Sequence, residues 1–337
     1  MSIRGMPIND LNILFLTESR EDYLADSLLH GLVSLGLNVV DYPRKDILYQ
    51  EQRQYKEQGD RVDPITIRGG GFTLYGLLPE RPVDRRAVIQ RLEAGLFDVV
   101  ILGQVWRQWG QLLDLAPWLQ SIPVVLLDGD DDRRLFHRSG TRLRRYGWQP
   151  FPIRSKRCFY AKREWQGGNG SSRWVQMIPT GFSIPAAKIM PLELSAKTQR
   201  FASHCVDAEV AAEEGLKTAY AFNSEADYYY NMAASRFAIS TCRGGWDCLR
   251  HYEIAAAGTL LCFRDLQSKP PSCAPHGLVP GQNCLSYISH ADLKAQVERL
   301  EANPMNYEAL LMGSRRWLQD QTTDAAAKRL LAAVQIF

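Results

Sequence analysis

The sequence predicts an α/β protein made of two domains in series and closed by C-terminal helices. Three observations carry this expectation. Short apolar runs of strand length alternate with helix-patterned segments between residues 11 and 182. The alternation pauses in a weakly patterned stretch with two prolines, "PAAKIMPLELSAKTQ" at 185–199, and then restarts. At 337 residues the chain is long enough for two domains of ordinary size, each with its own core.

"LNILFL" at 11–16 reads as a buried strand, and "EDYLADSLLHGLVSLG" at 21–36 follows with apolar residues at helical spacing. "NVVDYP" at 38–43 is a second strand, stopped by Pro43. Residues 50–84 are polar and irregular and include "RGGG" at 68–71. A helix over "RRAVIQRLEAG" at 85–95 leads into the strand "DVVILG" at 98–103, another helix, and the strand "PVVLLDG" at 123–129. "RCFYAKRE" at 157–164 and "WVQMIPTGF" at 174–182 are two further strands. After the pause, "RFASHC" at 200–205 is strand, followed by helices over 208–220 and 227–236. "FAISTC" is strand, "CLRHYEIAAAG" helix, and "TLLCF" and "NCLSYI" strands; "ADLKAQVERLEA" and most of the tail from 306 are helical. The order implies parallel βαβ units. It predicts an N-terminal Rossmann-like domain at 1–185, a linker at 186–199 and a C-terminal Rossmann-like domain at 200–337, facing each other across a cleft. Ligands in such sheets bind at the carboxyl ends of the strands.

An apolar content of 45% with 23% charge is that of a soluble globular chain. No apolar run approaches the ~20 residues of a membrane span. "MSIRGMPINDLNILFL" lacks a signal-peptide pattern. Six of the seven cysteines follow residue 200 and no Cys-x-x-Cys pair occurs, so a reduced cytoplasmic protein is expected. The net charge of +3 hides a basic segment: residues 133–173 carry twelve Lys or Arg and one acid, Glu164. That is either a solvated face or a surface for an anionic partner. The partner would be membrane headgroups contacted peripherally, or a phosphate-bearing acceptor, with Arg142, Arg144 and Arg145 at its centre. Nucleic acid is a minor option, because no nucleic-acid-binding motif accompanies the segment.

The densest chemistry lies in "RGGWDCLRHYEIAAAGTLLCF" at 243–263. A glycine turn between a strand's carboxyl end and a helix that starts near Asp247 would offer backbone N–H groups to an anion. Asp247 could also serve as the helix cap. Arg250 and Glu253 are three apart and share a helix face, so they form either an intrahelical ion pair or part of a site. The small residues after them make the helix a buried one, and a buried carboxylate is costly unless a partner or ligand meets it.

This stretch resembles the donor-site signature of GT-B fold glycosyltransferases, nearest the CgeB-like and exostosin-like groups. "VVLLDGDDD", "CFYAKRE" and "CAPHGLVPGQNCLSYIS" are similar to other runs of the CgeB-like group. The resemblance implies a hexosyltransferase using a nucleotide-sugar, of the UDP-sugar kind, without metal or other cofactor. It implies that Glu253 meets the ribose hydroxyls, that Arg243 and Arg250 neutralise the diphosphate, and that Gly244 and Gly245 lie against sugar or phosphate. Asp247 and His204 belong to the same donor side. Many retaining members carry an acid eight positions before the ribose-binding one; here that position is Gly245, and either stereochemical outcome fits.

The acceptor would be a glycan, a lipid or another hydroxyl compound, deprotonated by a side chain if the reaction inverts. Asp128, Asp130 and Asp131 are the candidates for that base, with turn and cap chemistry as the plain alternative. Glu18, Lys162, Arg163 and Glu164 are further acceptor-side candidates, unless the last three merely pair with one another. An Asp-x-Asp metal site at Asp128 and Asp130, a nucleotide-sugar epimerase of the same fold, and a non-catalytic binder of glycans or anions are the rival readings. Replacing Glu253 by Ala is expected to hold or even raise the stability of the fold, since a strong helix former replaces a partly buried carboxylate.

Overall fold

The computed structural model describes residues 10–50, 73–154, 157–167, 175–219, 222 and 224–334. The described chain forms two compact units, one running to Ser183 with residues 272–274 and Thr323 onward, the other taking 184–271 and 275–322. The "RGGG" run at 68–71 lies outside the described residues.

The first unit is built on six parallel strands: β1 (Asn12–Leu16), β2 (Asn38–Tyr42), β3 (Val99–Leu102), β4 (Val124–Asp128), β5 (Cys158–Lys162) and β6 (Val175–Pro179). Their spatial order is β2-β1-β3-β4-β5-β6. Every residue of β3, β4 and β5 is buried, which is why these strands are continuous apolar runs rather than alternating ones. The order reverses between β1 and β3, so the topological switch point lies outside the carboxyl ends of those two strands.

Helix α1 (Tyr23–Ser34) begins where Asp22 accepts from the Ala25 N–H at 3.1 Å. Helices α2 (Val88–Glu93), α3 (Val105–Leu115) and α4 (Gly140–Tyr146) complete the connections. The C-terminal helix α10 (Thr323–Ala333) packs on α1 and belongs to this unit, not to the second domain where sequence order alone had put it. Gly31 makes that contact feasible: a Cβ there would lie 2.0 Å from the Thr323 carbonyl oxygen. His30 Nδ1 and Thr323 Oγ1 are 3.0 Å apart at the same crossing.

The second unit holds four parallel strands in the order β10-β9-β8-β7, with β7 (Gln199–Phe201), β8 (Ser235–Thr241), β9 (Leu260–Arg264) and β10 (Leu285–Tyr287). Its helices are α5 (Ala208–Glu214), α6 (Glu225–Ala233), α7 (Leu249–Ala256), α8 (His290–Glu301) and α9 (Pro304–Gln319). Residues 186–199, expected as a linker, are built into this unit. Met190 N–H donates to the Ala256 carbonyl at 3.0 Å, and the buried Lys197 ammonium donates to the carbonyls of Ala233 (2.7 Å) and Ser235 (2.9 Å). Gly258 (φ 68°) ends α7 in a left-handed turn, and its missing Cβ leaves room for Pro191.

Candidate functional site

In the second unit the glycine loop joins the carboxyl end of β8 to α7, as the sequence implied, but the cap differs. Cys248 occupies the N-cap, and its N–H donates to His251 Nδ1 at 3.3 Å. Asp247 is not the cap; it is buried and accepts from the Tyr252 hydroxyl at 2.9 Å. Arg243 and Gly244 stand exposed, and Gly245 is buried. The Arg243 N–H donates to the Gly245 carbonyl at 3.2 Å, which closes the turn.

Arg250 and Glu253 each have a partner from another element. The Arg250 guanidinium donates to the His204 carbonyl at 2.7 Å, which ties the start of α7 to the loop after β7. Glu253 is only 3% exposed and accepts from the Tyr228 hydroxyl of α6. Burial and the adjacent carboxylate push the Tyr228 phenol far above its usual range, so it stays protonated and donates. Sequence reasoning missed Tyr228; its signal, the "DYYYNM" run, reads only as an aromatic helix face. Among the described residues nothing accepts from the Arg250 Nε–H or the Trp246 Nε1–H, although both side chains are buried. Buried donors of this kind usually have an acceptor, and a phosphate oxygen is one.

His204 sits beside this cation. Burial first, and then the Arg250 guanidinium, push its imidazole down to about 4. A pKa lowered in the fold contributes stability that is present above the ordinary value of ~6.5 and is lost as pH falls through the folded value. Between pH 6.5 and 4 a His204→Asn variant should therefore lose less thermal stability than the parent. Parallel melting-temperature curves over that range would show that His204 plays no part in acid sensitivity.

In the first unit the Asp-rich loop and the Lys-Arg-Glu strand form one neutralised cluster. Asp128 and Lys162 are register partners on β4 and β5, both fully buried, with the ammonium 3.0 Å from the carboxylate. Asp128 also accepts from Trp106 Nε1 (3.0 Å), the Tyr160 hydroxyl (2.5 Å) and the Asp130 N–H (3.2 Å). Burial, outweighing the pull of Lys162, raises its carboxyl to about 6. Arg163 pairs with Asp131 and with Glu164 (2.8 Å), donates to the Gly129 carbonyl (3.1 Å) and lies over the Phe182 ring. Glu164 is fully buried and bridges to Cys273. Asp130 is half-buried and accepts from the Asp132 N–H at 2.8 Å; Asp131 is exposed. Among the described residues no three of His, Cys, Asp or Glu are grouped to hold a metal ion.

Glu18 lies at the switch point, 2.9 Å from Arg107 Nε. Beside it Asp22 accepts from Gln104 Nε2 and Arg107, each at 3.0 Å, and the buried Asp26 pairs with Lys45 at 3.1 Å. Arg107, Gln104 and Lys45 were not legible as partners of Glu18 and Asp22, being up to 89 residues away in sequence. Glu18, Asp22, Asp26, Lys45 and Gln104 line a cavity of about 10 Å³, with room for about one water molecule.

No protein-family model matches this chain, and no curated protein does. Its fold does match solved structures. The crystal structure of Anabaena Alr3699/HepE in complex with UDP and glucose superposes with a TM-score of 0.55 at 11% identity, covering 97% of this chain and 100% of that one. The same protein in complex with UDP-glucose gives 0.53 with the same identity and coverage. A glycosyltransferase from Rickettsia africae gives 0.54 at 9% identity, covering 97% of this chain and 99% of that one. The two parallel α/β units thus give the chain the GT-B fold.

Proposed function

We propose that this chain is a glycosyltransferase that moves a hexose from a nucleotide-sugar of the UDP-sugar kind to a hydroxyl acceptor, without a metal. The observation that carries the reading is the Glu253 carboxylate. It is buried in the second turn of α7, held by Tyr228, and three residues from an arginine that a carbonyl anchors and whose Nε–H has no acceptor among the described residues. A carboxylate so placed suits ribose hydroxyls. Arg250, Arg243 and the amino end of α7 suit a diphosphate whose charge grows as the bond to the sugar breaks. The GT-B fold, and a structural neighbour crystallised with UDP-glucose, support the same reading.

Asp128 is assigned a structural role, because its oxygens are occupied by Lys162, Tyr160, Trp106 and the loop backbone. That leaves Asp130, Asp131 and Glu18 as first-unit candidates for an acceptor-side base. Lys162, Arg163 and Glu164 serve to brace the Asp-rich loop.

Thermal-shift measurements with UDP, GDP, CMP and dTDP test the nucleotide. At a hundredfold its dissociation constant the right one should stabilise by ~2.7 kcal/mol. Turnover of a nucleotide-sugar panel in EDTA tests the rest, and it should persist. Turnover lost in chelator and restored by Mg²⁺ or Mn²⁺ would refute the metal-free mechanism. Interconversion of the donor sugar without transfer would assign an epimerase instead.

A further inference from the structure

We propose that the surface formed by α4 and the turn after it docks this protein onto an anionic lipid bilayer. The helix is short and firmly seated. Ser139 Oγ accepts from the Arg142 N–H at 3.2 Å, and Gly147 (φ 69°) closes its carboxyl end. Of the three arginines expected to form a basic face, Arg142 points inward: it is 7% exposed, donates to the Gln149 carbonyl at 3.1 Å and lies over the Trp109 ring. Tyr146, one turn on, packs against the core of the first unit.

The exposed part of this helix and its turn is a mixed surface. Leu143 is 43% exposed and Trp148 is 84% exposed, with Arg144 and Arg145 exposed between them. Between residues 133 and 154 the sequence holds seven arginines and no acid. Arg134 is matched by Asp132 of the preceding loop, but among the described residues no acid pairs with Arg144 or Arg145. Two exposed apolar side chains flanked by unpaired guanidiniums match an anionic bilayer surface. The indole and leucyl groups reach the headgroup–acyl boundary, and the arginines meet phosphates. A nucleic acid would use the charge and the Trp148 ring but would leave Leu143 without a partner, so lipid is favoured. The surface is in the first unit and does not depend on the donor-site reading.

Flotation with phosphatidylcholine vesicles, with and without phosphatidylglycerol, tests the proposal. The parent should float only with the anionic vesicles, and less so as salt rises. Arg144→Gln with Arg145→Gln should weaken that binding by about fivefold per charge, or about 30-fold together. Leu143→Ser with Trp148→Ser should abolish the part of the binding that survives high salt. Since all four side chains are exposed, each variant should melt with the parent; if one does not, its single substitutions serve in its place. Failure of the parent to float with anionic vesicles, or equal flotation of parent and variants, would overturn the proposal. So would binding of a single-stranded RNA as tight as that of the vesicles, which would mark a general polyanion surface.

Discussion

Glu253→Gln should lower nucleotide affinity by about 10- to 100-fold while leaving the fold intact. Charge-assisted hydrogen bonds from ribose hydroxyls are worth ~1.5–3 kcal/mol, and each ~1.4 kcal/mol is a factor of ten. Gln is the right replacement because of Tyr228. Its buried hydroxyl donates to Glu253, and the glutamine carbonyl can still accept that bond. Glu253→Ala would instead strand the hydroxyl, at a cost of about 1–3 kcal/mol. The Tyr228 hydroxyl, which the sequence did not reveal as a partner, is thus a reason to expect lower stability from alanine. Tyr228→Phe should loosen the carboxylate without removing it, with a smaller affinity loss than Glu253→Gln. Calorimetry with the best nucleotide, beside melting curves of each variant, decides the matter. A well-folded Glu253→Gln protein with parental affinity would remove Glu253 from the donor site.

Lys162→Met should destabilise the first unit by about 3–5 kcal/mol at neutral pH, because it leaves Asp128 as a buried charge without its cation. The pH dependence carries the cause. In the parent the Asp128 carboxyl is already raised to about 6. A pKa raised in the fold adds stability that is full below the ordinary carboxylate value and is lost as pH rises through the folded value. Removing Lys162 raises it further, so the penalty should be largest at neutral pH and shrink toward pH 4, where Asp128 is protonated in both proteins. Adding Asp128→Asn should recover much of the loss, since the amide can still accept from Trp106 and meet Tyr160. Denaturant unfolding at pH 7 and pH 4 measures this. A penalty independent of pH would place the damage in packing rather than in the ion pair.

Much of the architecture is legible in the sequence, residue by residue. "DVVILG", "PVVLLDG" and "FAISTC" are apolar runs of strand length, and β3, β4 and β8 lie within or on them. "CLRHYEIAAAG" carries the period, the small residues and the terminal glycine of a buried helix, and α7 lies within it. These signals are local: periodicity states which face is covered, whatever covers it. The Arg250–Glu253 spacing is local too, so it was visible as a shared face but not as a pair of side chains held from elsewhere.

What only the tertiary structure decided is the partner of each charge. Asp128 and Lys162 are 34 positions apart and meet because β4 and β5 pair in that register. Arg142 and Arg144 look alike in the sequence, yet one is buried over Trp109 and the other is exposed, because two residues turn a helix by about 200°. Helix α10 returns to α1 because Gly31 leaves space for the Thr323 backbone, a fit that neither segment shows alone. An ionised side chain has the same sequence signature in water as in a neutralised interior. Its surroundings follow from strand register and helix rotation, which arise only when distant segments pack.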